Sequence, residues 1–211
     1  MKKNKTQSDN SENDLLCTGP HIYASDKFKY CWVRIPKCGS MSMHKVLWNR
    51  ARYDFSEWSS SHTGWDDYFK FAFVRNPWSR LYSCYKSKVI QGQGGCSQYL
   101  HRFSRKKISF TDWVKIVSAD ENILKDRHFS PIHTLLINKD FDSMDFIGKV
   151  ENYQKDWNTI CDKIGIPRRK LPRKNKTKHK HYTEYYNSET RELVAERYAR
   201  DIEYFGYKFG D

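Results

Sequence analysis

The chain has 211 residues, which is the usual size of one domain, and a formal net charge of +13. No stretch reaches the roughly 18–20 apolar residues that a membrane span needs. The positive charge favours anionic partners, such as nucleic acid, an acidic polymer or a phosphorylated cofactor, and does not choose among them.

The amino-terminal residues are polar, and they show no apolar periodicity. We therefore predict a disordered tail over residues 1–20 and a single domain over residues 21–211. No apolar run of a signal peptide follows Met1. The six cysteines form no C-x-x-C pair, which predicts reduced, mostly buried thiols in a cytoplasmic protein.

Strand-like and helix-like patterns alternate along this domain. Strands are predicted at residues 30–35, 69–74 and 144–150, and a loop at residues 56–67. Helices are predicted over residues 40–51, 78–90, 110–118 (capped by Ser109), 153–164 (capped by Asn152) and from a Ser188 cap to residue 205. This alternation predicts an α/β fold, in which a parallel sheet is flanked by helices.

The first strand leads into a loop with the sequence Pro36-Lys-Cys-Gly-Ser-Met-Ser42. Gly39 lets the backbone curl around a ligand, and the N–H groups at the following helix start can hold a phosphate or sulfate. Lys37 adds a positive charge, and Ser40 adds a hydroxyl donor. The loop is not a nucleoside-triphosphate loop, because its lysine precedes its glycine. An ordinary strand-to-helix turn with a solvated lysine is the alternative.

The second strand leads into a similar segment, which begins Arg75-Asn-Pro-Trp-Ser-Arg80. Arg75 lies at the strand end, and a proline follows in the first turn of the helix. Arg75 and Ser83 can converge on one phosphate, with the arginine offering its planar fork. Arg80 can instead pair with an acid and hold the helix, and a surface ion pair is the alternative for each of these residues.

These two segments resemble the cofactor motifs of sulfotransferases that use 3′-phosphoadenosine 5′-phosphosulfate (PAPS). I-P-K-C-G-S-M-S at residues 35–42 resembles the 5′-phosphosulfate loop, and F-V-R-N-P-W-S-R-L-Y-S-C-Y at residues 73–85 resembles the 3′-phosphate motif. The residue pattern of the two motifs is most similar to that of the carbohydrate-type branch, which includes chondroitin and heparan O-sulfotransferases. Residues 128–131, 146–151, 182–186 and 201–209 resemble later segments of that branch.

The resemblance implies a fold like that of P-loop nucleoside kinases and a PAPS-dependent reaction that needs no metal. The products would be a sulfate ester and adenosine 3′,5′-bisphosphate (PAP). Lys37 would contact the bridging oxygen between phosphate and sulfuryl group, and Arg75 and Ser83 would hold the 3′-phosphate. The residues that would hold the 5′-phosphate through their N–H groups are Cys38, Gly39, Ser40, Met41 and Ser42.

A basic stretch between residues 166 and 181 contains eight lysines or arginines and no acid. Its place in the family order suggests a loop that closes over the cofactor, where Lys178 and Lys180 can reach the phosphates. A solvated face is the alternative. The same stretch can attract an anionic acceptor.

The acceptor hydroxyl needs a general base, and histidine is the usual group. His62 is the first candidate, because it precedes the second strand, where the branch often carries a histidine near the acceptor. His128 is the second, and a structural histidine bonded to backbone is its alternative. His133 is weaker.

The chain departs from the family at three positions. Cys38 stands where the family usually has threonine, Met41 where it often has serine or threonine, and Ile132 where it usually has glutamine. The first two changes remove hydroxyl contacts, but backbone contacts to the cofactor do not depend on the side chain.

The expected partner is a hydroxyl-bearing acceptor, and the family resemblance implies that it is a carbohydrate. Neither nucleic acid nor a membrane span is expected. Three alternatives stay open from the residues alone. The net charge and the aromatic residues would also suit a nucleic-acid-binding module. A nucleotide kinase would share the fold, and a sulfotransferase relative that binds the cofactor with weak or lost activity would share the motifs.

Overall fold

The computed structural model describes residues 21–48, 56–58, 67–92, 107–136, 143–172 and 180–211. Five strands form one sheet in the order β3-β1-β2-β4-β5. The strands are β1 (His21–Ser25), β2 (Tyr30–Arg34), β3 (Ser56–Trp58), β4 (Phe69–Val74) and β5 (Phe146–Lys149).

One side of the sheet, made of β2, β4 and β5, is parallel, which confirms the predicted α/β fold. Strand β2 runs parallel to β4 with Trp32 opposite Phe71, and β4 runs parallel to β5 with Phe73 opposite Gly148. The other edge differs from the prediction, because β1 pairs antiparallel with both β2 and β3. The loop predicted at residues 56–67 was wrong for its first three residues, which form β3.

Six α-helices of the described residues cover this sheet or pack beside it. They are α1 (Ser40–Trp48), α2 (Pro77–Cys84), α3 (Phe110–Ala119), α4 (Tyr153–Lys163), α5 (Ser188–Arg197) and α6 (Ala199–Phe205). Helix α2 continues directly as a π-helix, Tyr85–Ile90, where the sequence predicted one regular helix. Short 3₁₀ turns lie at Ile123–Lys125, Ile132–Leu135, Val150–Asn152 and Tyr182–Tyr185.

The helix caps agree with the prediction only in part. The Ser109 hydroxyl accepts a hydrogen bond from the N–H of Asp112 at 3.1 Å, which confirms that cap. Asn152 occupies the predicted N-cap position of α4, but its side chain makes no capping hydrogen bond. The Ser188 cap was wrong: the Asn187 side chain accepts from the N–H of Thr190 at 2.8 Å, and that threonine's hydroxyl accepts from the N–H of Asn187. This capping box fixes the start of α5.

Two clusters of buried apolar side chains stabilise the fold. One lies on the sheet and includes Trp32, Phe71 and Trp157. The other lies among α2, α3 and α5 and includes Trp113 and Phe129. The cysteines of the described residues are buried and free, as the sequence predicted: Cys31, Cys38, Cys84 and Cys161.

Within the described ranges, no helix is both long enough and apolar enough to cross a membrane.

Candidate functional site

The two predicted anion-binding segments lie side by side because β2 and β4 are parallel neighbours. The carboxyl ends of parallel strands open at the same edge of a sheet, where α/β proteins bind ligands. A cleft of about 960 Å³ lies at this edge. Its lining includes residues of both segments, the start of α4 and the turn near Tyr182: Lys37, Gly39, Ser40, Met41, Ser42, Arg75, Ser79, Tyr82, Ser83, Lys86, Ser87, Glu151, Tyr153, Lys180 and His181.

The first segment turns sharply before α1. Lys37 and Gly39 both have left-handed backbone conformations, with φ of 67° and 75°. The N–H of Ser42 donates to the Gly39 carbonyl at 3.0 Å. The N–H groups of Gly39, Ser40 and Met41 have no backbone acceptor within the described residues, so they can hold an anion at the helix start.

A tyrosine from α4 forms one wall of this turn. The Tyr153 hydroxyl donates to the Gly39 carbonyl at 2.7 Å. A Cβ atom at residue 39 would lie 2.7 Å from the ring carbon Cζ of Tyr153, closer than real Cβ contacts. Position 39 therefore requires glycine for its φ angle and for its space. Burial raises the pKa of the Tyr153 hydroxyl, which stays protonated as a donor.

Lys37 contacts the second segment through its side chain and its backbone. Its Nζ donates to the Ser87 hydroxyl at 2.8 Å. Its carbonyl accepts from Nη1 of Arg75 at 3.4 Å, and Nε of that arginine donates to the Ser79 hydroxyl at 2.9 Å. The two segments are thus hydrogen-bonded to each other at the cleft.

Arg80 connects the same segments from within the protein. The side chain is buried, and within the described residues it meets carbonyls, not the acid that was one alternative. Nε donates to Pro36 O at 3.2 Å, Nη1 to Ser130 O at 2.7 Å and Nη2 to Arg127 O at 2.9 Å. Arg80 therefore fixes the first turn against α2 and does not line the cleft.

The two unusual residues of the first segment have opposite surroundings. The Cys38 side chain is buried in the core and does not line the cleft, and burial raises the pKa of its thiol to about 12. The N–H of Cys38 is engaged within the turn, where it donates to the Ile35 carbonyl at 3.4 Å. Met41 is 56% exposed and lines the cleft.

Of the first two candidate bases, only His128 lies within the described residues, and it is not part of this arrangement. His128 does not line the cleft, and its Nδ1 lies 2.7 Å from Oδ1 of Asp126. Burial lowers the pKa of His128, and the contact with Asp126 opposes that shift. A base role for His128 stays a prediction that the cleft does not support. His62 and Lys178 lie outside the described residues, whereas Lys180 lines the cleft and pairs with Glu184 at 3.3 Å.

Several cleft residues were not predicted from the sequence. Tyr153 gave no signal, because its contact with Gly39 depends on the fold. Glu151 accepts from the Asn76 N–H and from the Tyr207 hydroxyl, both at 3.0 Å, and so supports the second segment. Ser87 follows Ser83 by four residues, and this helical spacing could have identified it.

The described residues contain no cluster of three or more His, Cys, Asp and Glu side chains that could hold a metal ion.

Comparison with known proteins gives two kinds of match. The chain is 28% identical over 163 residues to carbohydrate sulfotransferase 14 of Danio rerio, an alignment that covers 66% of this chain and 44% of that relative. It thus spans less than half the length of that relative. An uncharacterized protein of Archaeoglobus fulgidus is 29% identical over 103 residues, covering 48% of this chain and 72% of the relative. No solved structure matches the chain.

The model of the sulfotransferase family matches residues 20–208, nearly the whole described domain and both cleft segments. The chain belongs to the sulfotransferase family.

Proposed function

We propose that this protein transfers the sulfuryl group of PAPS to a hydroxyl group of a carbohydrate. The observation that carries the proposal is the single cleft that brings together the glycine turn at Gly39, the lysine Lys37 and the arginine Arg75. Family membership supports sulfuryl transfer. The donor, the acceptor class and the roles of individual residues are the proposal.

The residues present fit a nucleotide with phosphates at both ends. The first group of hydrogen-bond donors lies in the turn, where the N–H groups of Gly39, Ser40 and Met41 suit a 5′-phosphosulfate. The second group consists of Arg75 and Ser83, which suit a 3′-phosphate. Bound PAPS would supply a sulfuryl group on a phosphate leaving group.

The chain's own groups would act mainly by position and charge. Lys37 would neutralise the negative charge that develops on the bridging oxygen. The acceptor hydroxyl loses its proton to a base, its oxygen forms the new bond to sulfur, and the bond from sulfur to the bridging oxygen breaks. We assign the role of general base to His62, with His128 as the second candidate, since His128 does not line the cleft.

The carbohydrate acceptor is supported by the Danio rerio relative, whose name is carbohydrate sulfotransferase 14. The cleft has more basic than acidic side chains, which is compatible with an anionic sugar. Lys180 at its rim, with Lys178, would contribute to the attraction of phosphates or of such an acceptor.

The test is calorimetric titration of PAP into the wild type and two arginine variants without magnesium. Arg75→Ala should weaken one-site binding at least about tenfold, or about 1.4 kcal/mol. Arg191→Ala is the matched control, because Arg191 is exposed and stacks on Phe209 away from the cleft lining. Equal affinities in both variants, or a wild type that does not bind PAP, would reject the proposal. Radiolabelled transfer from PAPS to desulfated chondroitin and heparosan then tests the acceptor.

A further inference from the structure

One face of the helix that starts at Pro77 lines the cleft over its whole length. The lining residues recur once per helical turn, singly or as adjacent pairs: Ser79, then Tyr82 and Ser83, then Lys86 and Ser87, then Gln91. The π-helical turn, in which the Gln91 N–H donates to the Lys86 carbonyl at 3.0 Å, extends this face by one turn. Turns of this kind occur frequently at functional sites.

Lys86 is a cationic residue of this face without an assigned role. It is half-buried and lines the cleft. No carboxylate of the described residues forms a salt bridge with its Nζ, whereas Lys180 on the cleft rim pairs with Glu184 at 3.3 Å. A half-buried ammonium group that faces a ligand cleft is best stabilised by an anionic ligand.

The position of Lys86 on the helix indicates which end of the cleft it serves. Helical side chains lean toward the helix amino terminus, over the residues three and four positions earlier. For Lys86 these residues are Ser83 and Tyr82. The hydroxyl of Ser87, one residue later, already accepts a hydrogen bond from the Nζ of Lys37. Lys86 therefore lies on the Ser83 side, and the Lys37 ammonium lies on the Ser87 side.

We propose that Lys86 is a third ligand of the 3′-phosphate, together with Arg75 and Ser83. The inference rests on the proposed function, since it presumes PAP or PAPS in this cleft. A phosphate monoester carries a charge of about −1.5 to −2 near neutral pH, so one arginine leaves part of it unmatched. Lysine binds phosphate as a point charge and does not need the fork geometry of arginine.

The experiment compares three ligands in three lysine variants. PAP carries both phosphates, 3′-AMP carries only the 3′-phosphate, and 5′-AMP lacks it. The mononucleotides are measured by competition against PAP. The variants are Lys86→Ala, Lys86→Arg and the control Lys88→Ala, which alters a half-buried lysine of the same π-helix that does not line the cleft. Thermal unfolding of each variant checks that it is folded.

We expect Lys86→Ala to weaken PAP about tenfold (about 1.4 kcal/mol) and 3′-AMP by a similar factor, with 5′-AMP unchanged. Lys86→Arg should restore most of the affinity, and Lys88→Ala should resemble the wild type. Unchanged PAP affinity in Lys86→Ala overturns the inference, as does an equal loss for 5′-AMP or in Lys88→Ala. A wild type that binds no PAP rejects the proposed function itself, before any variant is compared.

Discussion

The Tyr153 hydroxyl donates to the Gly39 carbonyl, and its ring fills the space that a side chain at residue 39 would need. These residues are 114 positions apart, so helix α4 shapes the turn that we assign to the 5′-phosphate. A substitution at residue 39 must therefore disturb both the backbone and the packing of α4.

Gly39→Ala should abolish measurable PAP binding and lower the free energy of unfolding. Gly165→Ala is a matched control, because Gly165 has a similar φ of 69° but no atom within 4 Å of the place where the alanine methyl group would lie. Both variants bear a left-handed alanine, which costs about 1 kcal/mol. Urea denaturation should show a larger loss for Gly39→Ala, and equal losses would mean that the ring of Tyr153 moves freely out of the way.

Lys37→Ala should separate binding from chemistry. We expect sulfuryl transfer to fall at least about 100-fold, because a preorganised charge at the bridging oxygen is lost. PAP lacks the sulfuryl group, so its affinity should stay within about threefold of the wild type. Initial rates with PAPS and calorimetry with PAP measure the two effects. Lys45→Ala, an exposed change on α1, is the control, and a Lys37 variant with full activity would refute the assigned role.

Arg80→Ala should destabilise the protein by about 3 kcal/mol, because three buried carbonyls lose a donor at about 1 kcal/mol each. Urea unfolding measures this change. Arg168→Ala removes an exposed ion pair with Asp162 and should shift the unfolding midpoint far less. Similar midpoints for the two variants would show that the three hydrogen bonds of Arg80 contribute little.

The stability of the protein should fall with acid in a way that depends on His128. Burial lowers the pKa of His128 below 6.5, although Asp126 opposes this shift, and Lys88 and Arg127 add to it. The unfolded chain then binds the proton more readily, so His128 contributes stability that is complete above pH 6.5 and is lost as pH falls toward its folded pKa. The slope from this one group is at most about 1.4 kcal/mol per pH unit.

Urea unfolding of the wild type and of His128→Gln between neutral pH and about pH 5 measures that contribution. The wild type should lose stability more steeply than the variant over this range. Parallel pH profiles of the two proteins would contradict the burial that we describe for His128.

The start of α5 offers a test of the observed cap. Asn187→Ala should lower the free energy of unfolding by about 1 kcal/mol, because the N–H of Thr190 loses the side-chain oxygen that accepts from it. Ser188→Ala, at the cap that the sequence alone predicted, should change it by less than about 0.5 kcal/mol. The reverse order of these two losses in urea unfolding would favour the cap at Ser188.

Local patterns in the sequence were sufficient where the structure is locally determined. Strand β4, Phe69–Val74, has the bounds that its apolar run predicted, and the Ser109 cap is formed. Strand β1 was missed because it has five residues of mixed polarity and is defined by its antiparallel partners. The π-turn at Tyr85–Ile90 was missed because its residues are compatible with an ordinary helix.

The candidate site likewise has residues that local motifs predicted and residues whose positions depend on distant parts of the chain. Lys37, Gly39, Arg75 and Ser83 were predicted from their motifs and line one cleft. The inward orientation of Cys38 was not predictable, since it follows from the left-handed backbone of the residues on either side of it. The neighbours of a motif that come from distant parts of the chain, such as Tyr153, depend on the whole fold.

Arg80 and Arg75 connect the two cleft segments by hydrogen bonds to the carbonyls of Pro36 and Lys37. The distance between the two proposed anion sites is therefore set by the folded chain itself and does not have to be created by a ligand. If the assignment of the two sites holds, a nucleotide with all its phosphates on the 5′ side, such as ATP, has no phosphate to place at Arg75 and Ser83. Discrimination against the abundant nucleoside triphosphates would then come from the missing 3′-phosphate, without any side chain that repels them.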